Sequence, residues 1–130
     1  MTAPEPATAV TPILDAARLG LIEEAATNVA ILVEGVEREL LLRSRLTRGE
    51  VLRQLLQMAD SAAQMEPGTR EAMPELDWSG WNSLRARLAA PPGAALDEAL
   101  WFACESLVLA TLLWLRVYQH SRPTLFRMAQ

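Results

Sequence analysis

The sequence predicts an all-α fold, an up-down bundle of four to five helices around one core. The chain has 130 residues, of which 51% are apolar, and this is the size of one domain with its own core. Alanine and leucine are abundant and only 6 glycines occur, a composition that favours helix over strand. Apolar residues also recur at steps of three, four or seven, which is the period of an amphipathic helix.

The net charge, the single cysteine and the N-terminal residues bear on nucleic-acid binding, on disulfide bonds and on secretion. The formal net charge is −4 and every basic residue is arginine, so the chain has no broad basic field for a nucleic-acid backbone. Cys104 is the single cysteine, which excludes an intramolecular disulfide, and its apolar helical surroundings are typical of a structural thiol. The N-terminal residues lack the basic and apolar segments of a secretory signal, so we expect a cytoplasmic protein.

The first helix is predicted over residues 13 to about 43, in a single domain that spans residues 12–122. Residues 1–11, rich in proline, alanine and threonine, are expected to form a flexible lead-in, and residues 123–130 a C-terminal tail. Pro12 suits a first helical turn, and Gly35 is the expected place for a bend or break. The expected core stripe consists of Leu14, Leu21, Ala25, Val29, Leu32, Val36 and Leu40.

The second helix is predicted over residues 48–65. Thr47 and Glu50 have the spacing of a capping box, in which each side chain bonds the other residue's backbone N–H. Pro67 and Gly68 are expected to end this helix, and the following segment around Pro74 to form a short helical turn and a loop. The expected core face consists of Val51, Leu52, Leu55, Leu56, Ala59, Ala62 and Ala63.

The third and fourth helices carry all four tryptophans. The third is predicted from Asp77 or Ser79 to about Ala90, where two prolines and a glycine stop it. The last, over residues 95–120, is apolar nearly all round, which is typical of a central helix, a helix covered by a partner, or a membrane span. Its longest uncharged stretch, residues 106–115, is about half the length that crosses a bilayer, so we favour a dimer interface and expect no membrane association.

One segment, residues 51–101, resembles a known family over about two-fifths of the chain. It contains Pro74-Glu75-Leu76-Asp77-Trp78, then Leu84-Arg85, then Leu96-Asp97 with Trp101. This order is similar to the HEPN domains of the toxin subunit of HEPN/nucleotidyltransferase pairs, formerly a domain of unknown function. In that family a Pro-Glu-x-x-Trp segment precedes a helix with Met-Arg-Asn-x-x-x-His-x-Tyr, and an acidic residue and a tryptophan follow.

The resemblance implies a HEPN-like helical fold and a metal-independent endoribonuclease without cofactors. In the family, two protomers bring their arginine and histidine side chains together at a homodimer interface. The histidine acts as general acid or base on the ribose 2′-oxygen, and the arginine stabilises charge on the phosphate. A nucleotidyltransferase-like protein is the partner that the resemblance implies.

The family motif is degenerate in this chain. Arg85 matches the motif arginine, but the polar, histidine and tyrosine positions are held by Ala86, Ala90 and Pro92. The single histidine, His120, lies at the far end of another helix and cannot be aligned with the motif. The family's acid–base chemistry should therefore be absent, and no catalytic residue is predicted.

The remaining site candidates are Arg85 and the four tryptophans. Arg85 is expected to stack on an indole or to form a salt bridge, and a phosphate or nucleotide contact is the alternative. Trp78, Trp81, Trp101 and Trp114 are candidate core and interface anchors. With one histidine and one cysteine, the chain offers no metal-ligand pattern, so no metal site is predicted.

Three functions follow from these candidates. The first is a non-catalytic HEPN-like protein that forms a homodimer and acts by protein–protein interaction in a toxin–antitoxin or nucleotidyltransferase-paired system. The second is an endoribonuclease with a divergent active site, which would bind RNA. The third is a helical scaffold that shares only bundle architecture with HEPN proteins, because a shared fold does not carry function.

Overall fold

The computed structural model describes residues 6–127, with side chains from residue 12 onward, and confirms the all-α prediction. Residues 1–5 and 128–130, which belong to the predicted lead-in and tail, lie outside the described residues. Between residues 6 and 127 the chain forms six α-helices and no strand, so it has more helices than the four to five predicted. They are α1 (Pro6–Val33), α2 (Arg38–Arg43), α3 (Arg45–Ala63), α4 (Pro67–Ala72), α5 (Trp78–Leu88) and α6 (Ala94–Ser121).

The first predicted helix is two helices, α1 and α2. The break lies where it was expected: α1 ends at Val33, and Gly35 has a φ of +68°, a conformation that suits glycine. The start differs from the prediction. Helix α1 begins at Pro6, which lies within the predicted lead-in of residues 1–11, and Pro12 is inside the helix. Pro12 therefore does not mark the first turn, and another proline, Pro6, is the first residue of the helix.

The core face of α1 is rotated from the predicted stripe. Leu14, Leu21 and Leu40 are 46%, 40% and 53% exposed, so the prediction for these three is wrong. For Leu14 and Leu21 the cause is that α1 carries apolar residues on nearly all sides, so periodicity cannot select one face. Leu40 lies on α2, beyond the break at Gly35, so the phase of one continuous helix does not extend to it. The buried apolar residues of α1 are Ala16, Leu19, Ile22, Ala25, Ala26 and Val29.

The predicted capping box is wrong. Helix α3 begins at Arg45 with Ser44 as its N-cap, so Thr47 and Glu50 both lie inside the helix. Glu50 instead accepts hydrogen bonds from Arg53 at 2.6 Å and from Gln54 at 2.8 Å, within its own helix. The hydrogen bonds from Arg53 and Gln54 lower the pKa of the Glu50 carboxyl.

Helix α5 begins and ends as its sequence predicts. Asp77 caps it by accepting the backbone N–H of Gly80 at 2.9 Å. A Cβ atom at Gly80 would lie 2.2 Å from the Asp77 carboxylate, so a larger residue there would displace the capping side chain. The helix ends at Leu88, before the Pro91-Pro92-Gly93 stop, and Trp81, Leu84 and Leu88 face the core.

The last helix, α6, is continuous over 28 residues but not uniform. Its middle, Ala103–Leu107, is a π-helical turn, in which one extra residue widens the helix. The 3₁₀ turn Pro123–Phe126, in the predicted tail, packs Leu125 and Phe126 against the core. By length and composition alone, α6 is the one helix of the described chain that could cross a membrane, a test that core helices of soluble proteins also pass.

The core lies between α1, α3, α5 and α6. Helix α3 contacts α1 on one side and α5 on the other, and α1 and α5 both contact α6. Three polar links join distant segments at the rim: Asp60 to Arg85, Arg48 to Asp97, and Gln119 to Glu23. Fully buried side chains include Leu19, Leu41, Leu55, Met58, Met73, Leu84, Leu100 and Leu115.

Candidate functional site

Arg85, the retained motif arginine, forms a salt bridge at the protein surface. Its Nε donates to Asp60 Oδ1 of α3 at 2.8 Å, and both side chains are about half exposed. Of the two structural roles expected for this residue, the salt bridge is the one formed. The indole stacking is not seen among the described residues, where the one arginine over an aromatic ring is Arg87 over Phe102, at 5.9 Å. A phosphate at Arg85 would have to compete with the Asp60 carboxylate.

The other three motif positions, Ala86, Ala90 and Pro92, do not share one helix face with Arg85. Because α5 ends at Leu88, Ala90 and Pro92 stand in the turn that follows it and not on a helix face. Ala86 is exposed on α5. His120, in the last turn of α6, is also exposed, and it lies beside Leu113 and Val117. The titratable group that the structure places against Arg85 is the Asp60 carboxylate, and the family's histidine position is an alanine.

The four tryptophans have different environments. Trp81 is 2% exposed, and its Nε1 donates to Thr111 Oγ1 of α6 at 2.9 Å, so it is a core residue and not an interface anchor. Trp78 is half-buried and donates to the Met73 carbonyl at 3.0 Å. Trp101 and Trp114 are half-buried on α6, and the Trp114 ring lies 6.1 Å from that of Tyr118. An interface role therefore stays a prediction for Trp78, Trp101 and Trp114 alone.

Asp15 is a buried acid that the sequence reasoning missed. It is 2% exposed on α1 and accepts hydrogen bonds from Arg18 at 2.9 Å, from Thr69 Oγ1, and from the Glu66 backbone N–H at 3.4 Å. A carboxylate at this place satisfies an orphan donor at the start of α4 and complements its dipole. Asp15 stands four residues before Leu19 and seven before Ile22, so helical spacing could have placed it on the core face.

Cys104 lies in the π turn and is buried, as its sequence context predicted. Burial raises the pKa of its thiol to about 11, because the apolar surroundings disfavour the thiolate. At neutral pH the side chain is a protonated thiol, which is neither a good nucleophile nor a good metal ligand. The structure thus supports the structural role.

The most distinctive surface of the described chain is an apolar strip along the outer face of α6. Four large apolar side chains are exposed on it, and Leu113 is 62% exposed. Large apolar residues that share one face of one helix differ from scattered exposed residues, and they are typical of an interaction surface. We call this surface the α6 strip; it consists of Phe102, Leu109, Leu113 and Val117.

A groove of about 620 Å³ runs beside the α6 strip, between α1 and α6. Ile31 of α1 and Trp101 and Leu109 of α6 line its apolar walls. Glu105 and Arg116 border it, and neither belongs to an ion pair between described residues. An apolar groove with charges at its margins is suited to a protruding side chain of a partner.

Comparison with known proteins identifies no relative: no protein-family model, no curated protein and no solved structure matches this chain.

Proposed function

We propose that this chain is a non-catalytic HEPN-like helical protein that acts by protein–protein interaction and forms a homodimer through the α6 strip. The observation that carries the proposal is the exposure of Phe102, Leu109, Leu113 and Val117 on one helix face. Burying such side chains removes apolar area from water, at about 25 cal/mol per Å². A face of this kind gains more from a protein partner than isolated apolar residues would.

The non-catalytic part of the proposal is supported by the surroundings of Arg85. The guanidinium is held by Asp60, and the motif positions for the acid–base residue and its neighbours are Ala90, Ala86 and Pro92. A ribonuclease of this class needs a group that transfers protons near neutral pH, and alanine and proline provide none. The resemblance further suggests a nucleotidyltransferase-like protein as a second partner in a toxin–antitoxin or related paired system.

Leu113→Glu should convert the dimer to a monomer. A glutamate in the centre of the α6 strip would place a charge in an apolar interface, and we expect the dissociation constant of the dimer to rise at least about a hundredfold. Light scattering coupled to size exclusion measures the change. Leu46→Glu is the matched control, because Leu46 is 87% exposed but lies on α3, away from the strip.

Both variants should keep the helical circular dichroism of the wild type, since both leucines are exposed. A wild-type protein that stays monomeric at all concentrations would contradict the homodimer. A dimer that both glutamate variants leave intact would place the interface elsewhere.

Arg85→Ala should have little effect. The Arg85–Asp60 pair is half exposed, so its loss should lower the free energy of unfolding by no more than about 1 kcal/mol, as measured by urea denaturation. Purified wild-type protein should leave RNA uncleaved, and the variant should behave identically. Cleavage that the wild type performs and Arg85→Ala abolishes would instead establish the ribonuclease.

A further inference from the structure

We infer that a second copy of this chain docks antiparallel along α6, with Glu105 of each protomer facing the partner's Arg116. The inference rests on the proposed homodimer and adds its partner geometry. It depends on three features of the structure: the order of charges along α6, the positions of the apolar residues between them, and the groove beside them.

The exposed charges of α6 are separated by sign. Glu98 and Glu105 lie toward its N-terminal end, whereas Arg116 lies toward its C-terminal end and Arg122 directly follows the helix. Arg87 of α5 adds one positive charge near the acidic end, over the Phe102 ring. A parallel pair of helices would set Glu105 against Glu105 and Arg116 against Arg116. An antiparallel pair sets each glutamate against an arginine and also opposes the two helix dipoles, so charge complementarity selects it.

The apolar residues select the same arrangement. In an antiparallel pair related by a two-fold axis, residues at equal distances from the axis on opposite sides face each other. The midpoint of Glu105 and Arg116 falls between Ala110 and Thr111, and the midpoint of Leu109 and Leu113 falls at Thr111. These midpoints differ by half a residue, less than about 1 Å along a helix. One axis position therefore pairs Leu109 with the partner's Leu113 and Glu105 with the partner's Arg116.

The groove between α1 and α6 provides space for this docking. Leu109 lines it, so the partner's Leu113, packed against Leu109, can enter between Ile31 and Trp101. Glu105 and Arg116 border the same groove and would enclose the apolar contact. An apolar centre with paired charges at its rim is the usual anatomy of a protein interface. The small Ala110, near the axis, allows the two helices to approach closely.

Charge reversal tests the arrangement. Glu105→Arg and Arg116→Glu should each weaken the homodimer about tenfold, because each places like charges opposite one another twice across the two-fold axis. An equimolar mixture of the two variants should recover wild-type affinity as a heterodimer, and the double variant should recover it as a homodimer. Sedimentation equilibrium at low salt gives the dissociation constants, and the differences should shrink at high salt.

The outcomes separate this inference from the proposed function. If Leu113→Glu is monomeric while both charge variants dimerise like the wild type, the α6 strip is the interface and the antiparallel register is wrong. If the double variant is no better than the single variants, the register is likewise wrong. If the wild type is monomeric and binds phosphatidylcholine vesicles through a surface that Leu113→Glu abolishes, the strip is a membrane surface, and both the homodimer and its register fail.

Discussion

We expect Trp81→Ala to lower the free energy of unfolding by about 3–5 kcal/mol. Trp81 is the largest side chain of the core and is 2% exposed, so its removal leaves a cavity that rigid helices fill only in part. The substitution also removes the Nε1 donor that ties α5 to Thr111 of α6. Urea denaturation followed by circular dichroism measures the loss, and the remaining tryptophans provide a fluorescence signal.

The hydrogen bond can be separated from the packing. Thr111→Val is nearly isosteric but leaves the Trp81 N–H buried without its partner, which should cost about 1–3 kcal/mol. The double variant Trp81→Phe/Thr111→Val should then cost less than the sum of its single changes, because neither group is left unpaired. If the losses of the two single variants add up to that of the double variant, the hydrogen bond between Trp81 and Thr111 contributes nothing. A loss below about 1 kcal/mol for Trp81→Ala would contradict the role of Trp81 in the core.

Asp15→Ala should lower the free energy of unfolding by about 2–4 kcal/mol. The carboxylate is enclosed by α1 and the start of α4, and it accepts hydrogen bonds from Arg18, Thr69 and the Glu66 backbone. Alanine would leave the threonine hydroxyl and the arginine without their acceptor. Asp15→Asn should lose less, because an amide oxygen still accepts a hydrogen bond but carries no charge.

Asp60→Ala is the matched control for Asp15. Asp60 also pairs with an arginine, but it is half exposed, so we expect a loss of less than about 1 kcal/mol. Hydrogen exchange gives a second readout, since Asp15→Ala should raise the exchange of the amides in Pro67–Ala72 before those of Arg45–Ala63. Equal losses for the two aspartate variants would show that burial of Asp15 contributes nothing.

The helix assignments that could be predicted were those set by local chemistry. Asp77 as an N-cap, the two prolines after Leu88 and the positive φ of Gly35 act within a few residues, so periodicity and turn residues place α5 and the break after α1. The capping box failed because the chain enters α3 three residues earlier, through Ser44. A motif of two residues cannot distinguish the start of a helix from its interior.

The core face and the π turn could not be predicted, for different reasons. Helix α1 is apolar on most of its circumference, so contacts with α3 and α6 decide which residues are buried. The π turn at Ala103–Leu107 changes the angle per residue, so a helical wheel drawn at 100° per residue does not give the relative directions of side chains on its two sides. Glu98, Glu105 and Arg116 are all exposed, and the last two border the groove between α1 and α6.

The candidate site was only partly predictable. The sequence identified Arg85 and the tryptophans by residue type, but the partner of Arg85 is 25 residues away in another helix. Trp81 was placed among possible interface residues, since a tryptophan on an amphipathic helix has the same spacing whether its face meets the core or a partner. The sequence predicted an interface on the last helix as a whole, and the exposed residues Phe102, Leu109, Leu113 and Val117 became identifiable once the neighbours of α6 were placed.

The link between Glu23 and Gln119 has a consequence for synthesis of the chain on the ribosome. These residues are 96 positions apart, and they join α1 to the C-terminal part of α6. Helix α1 emerges early, and α3 can cover part of its apolar surface, but the part that packs on α6 stays uncovered until α6 follows it out of the exit tunnel. That interval lasts several seconds at ordinary elongation rates of about 5–20 residues per second, and we expect nascent-chain chaperones to bind the uncovered part of α1 during it. The fold is therefore completed late, after translation of its last helix.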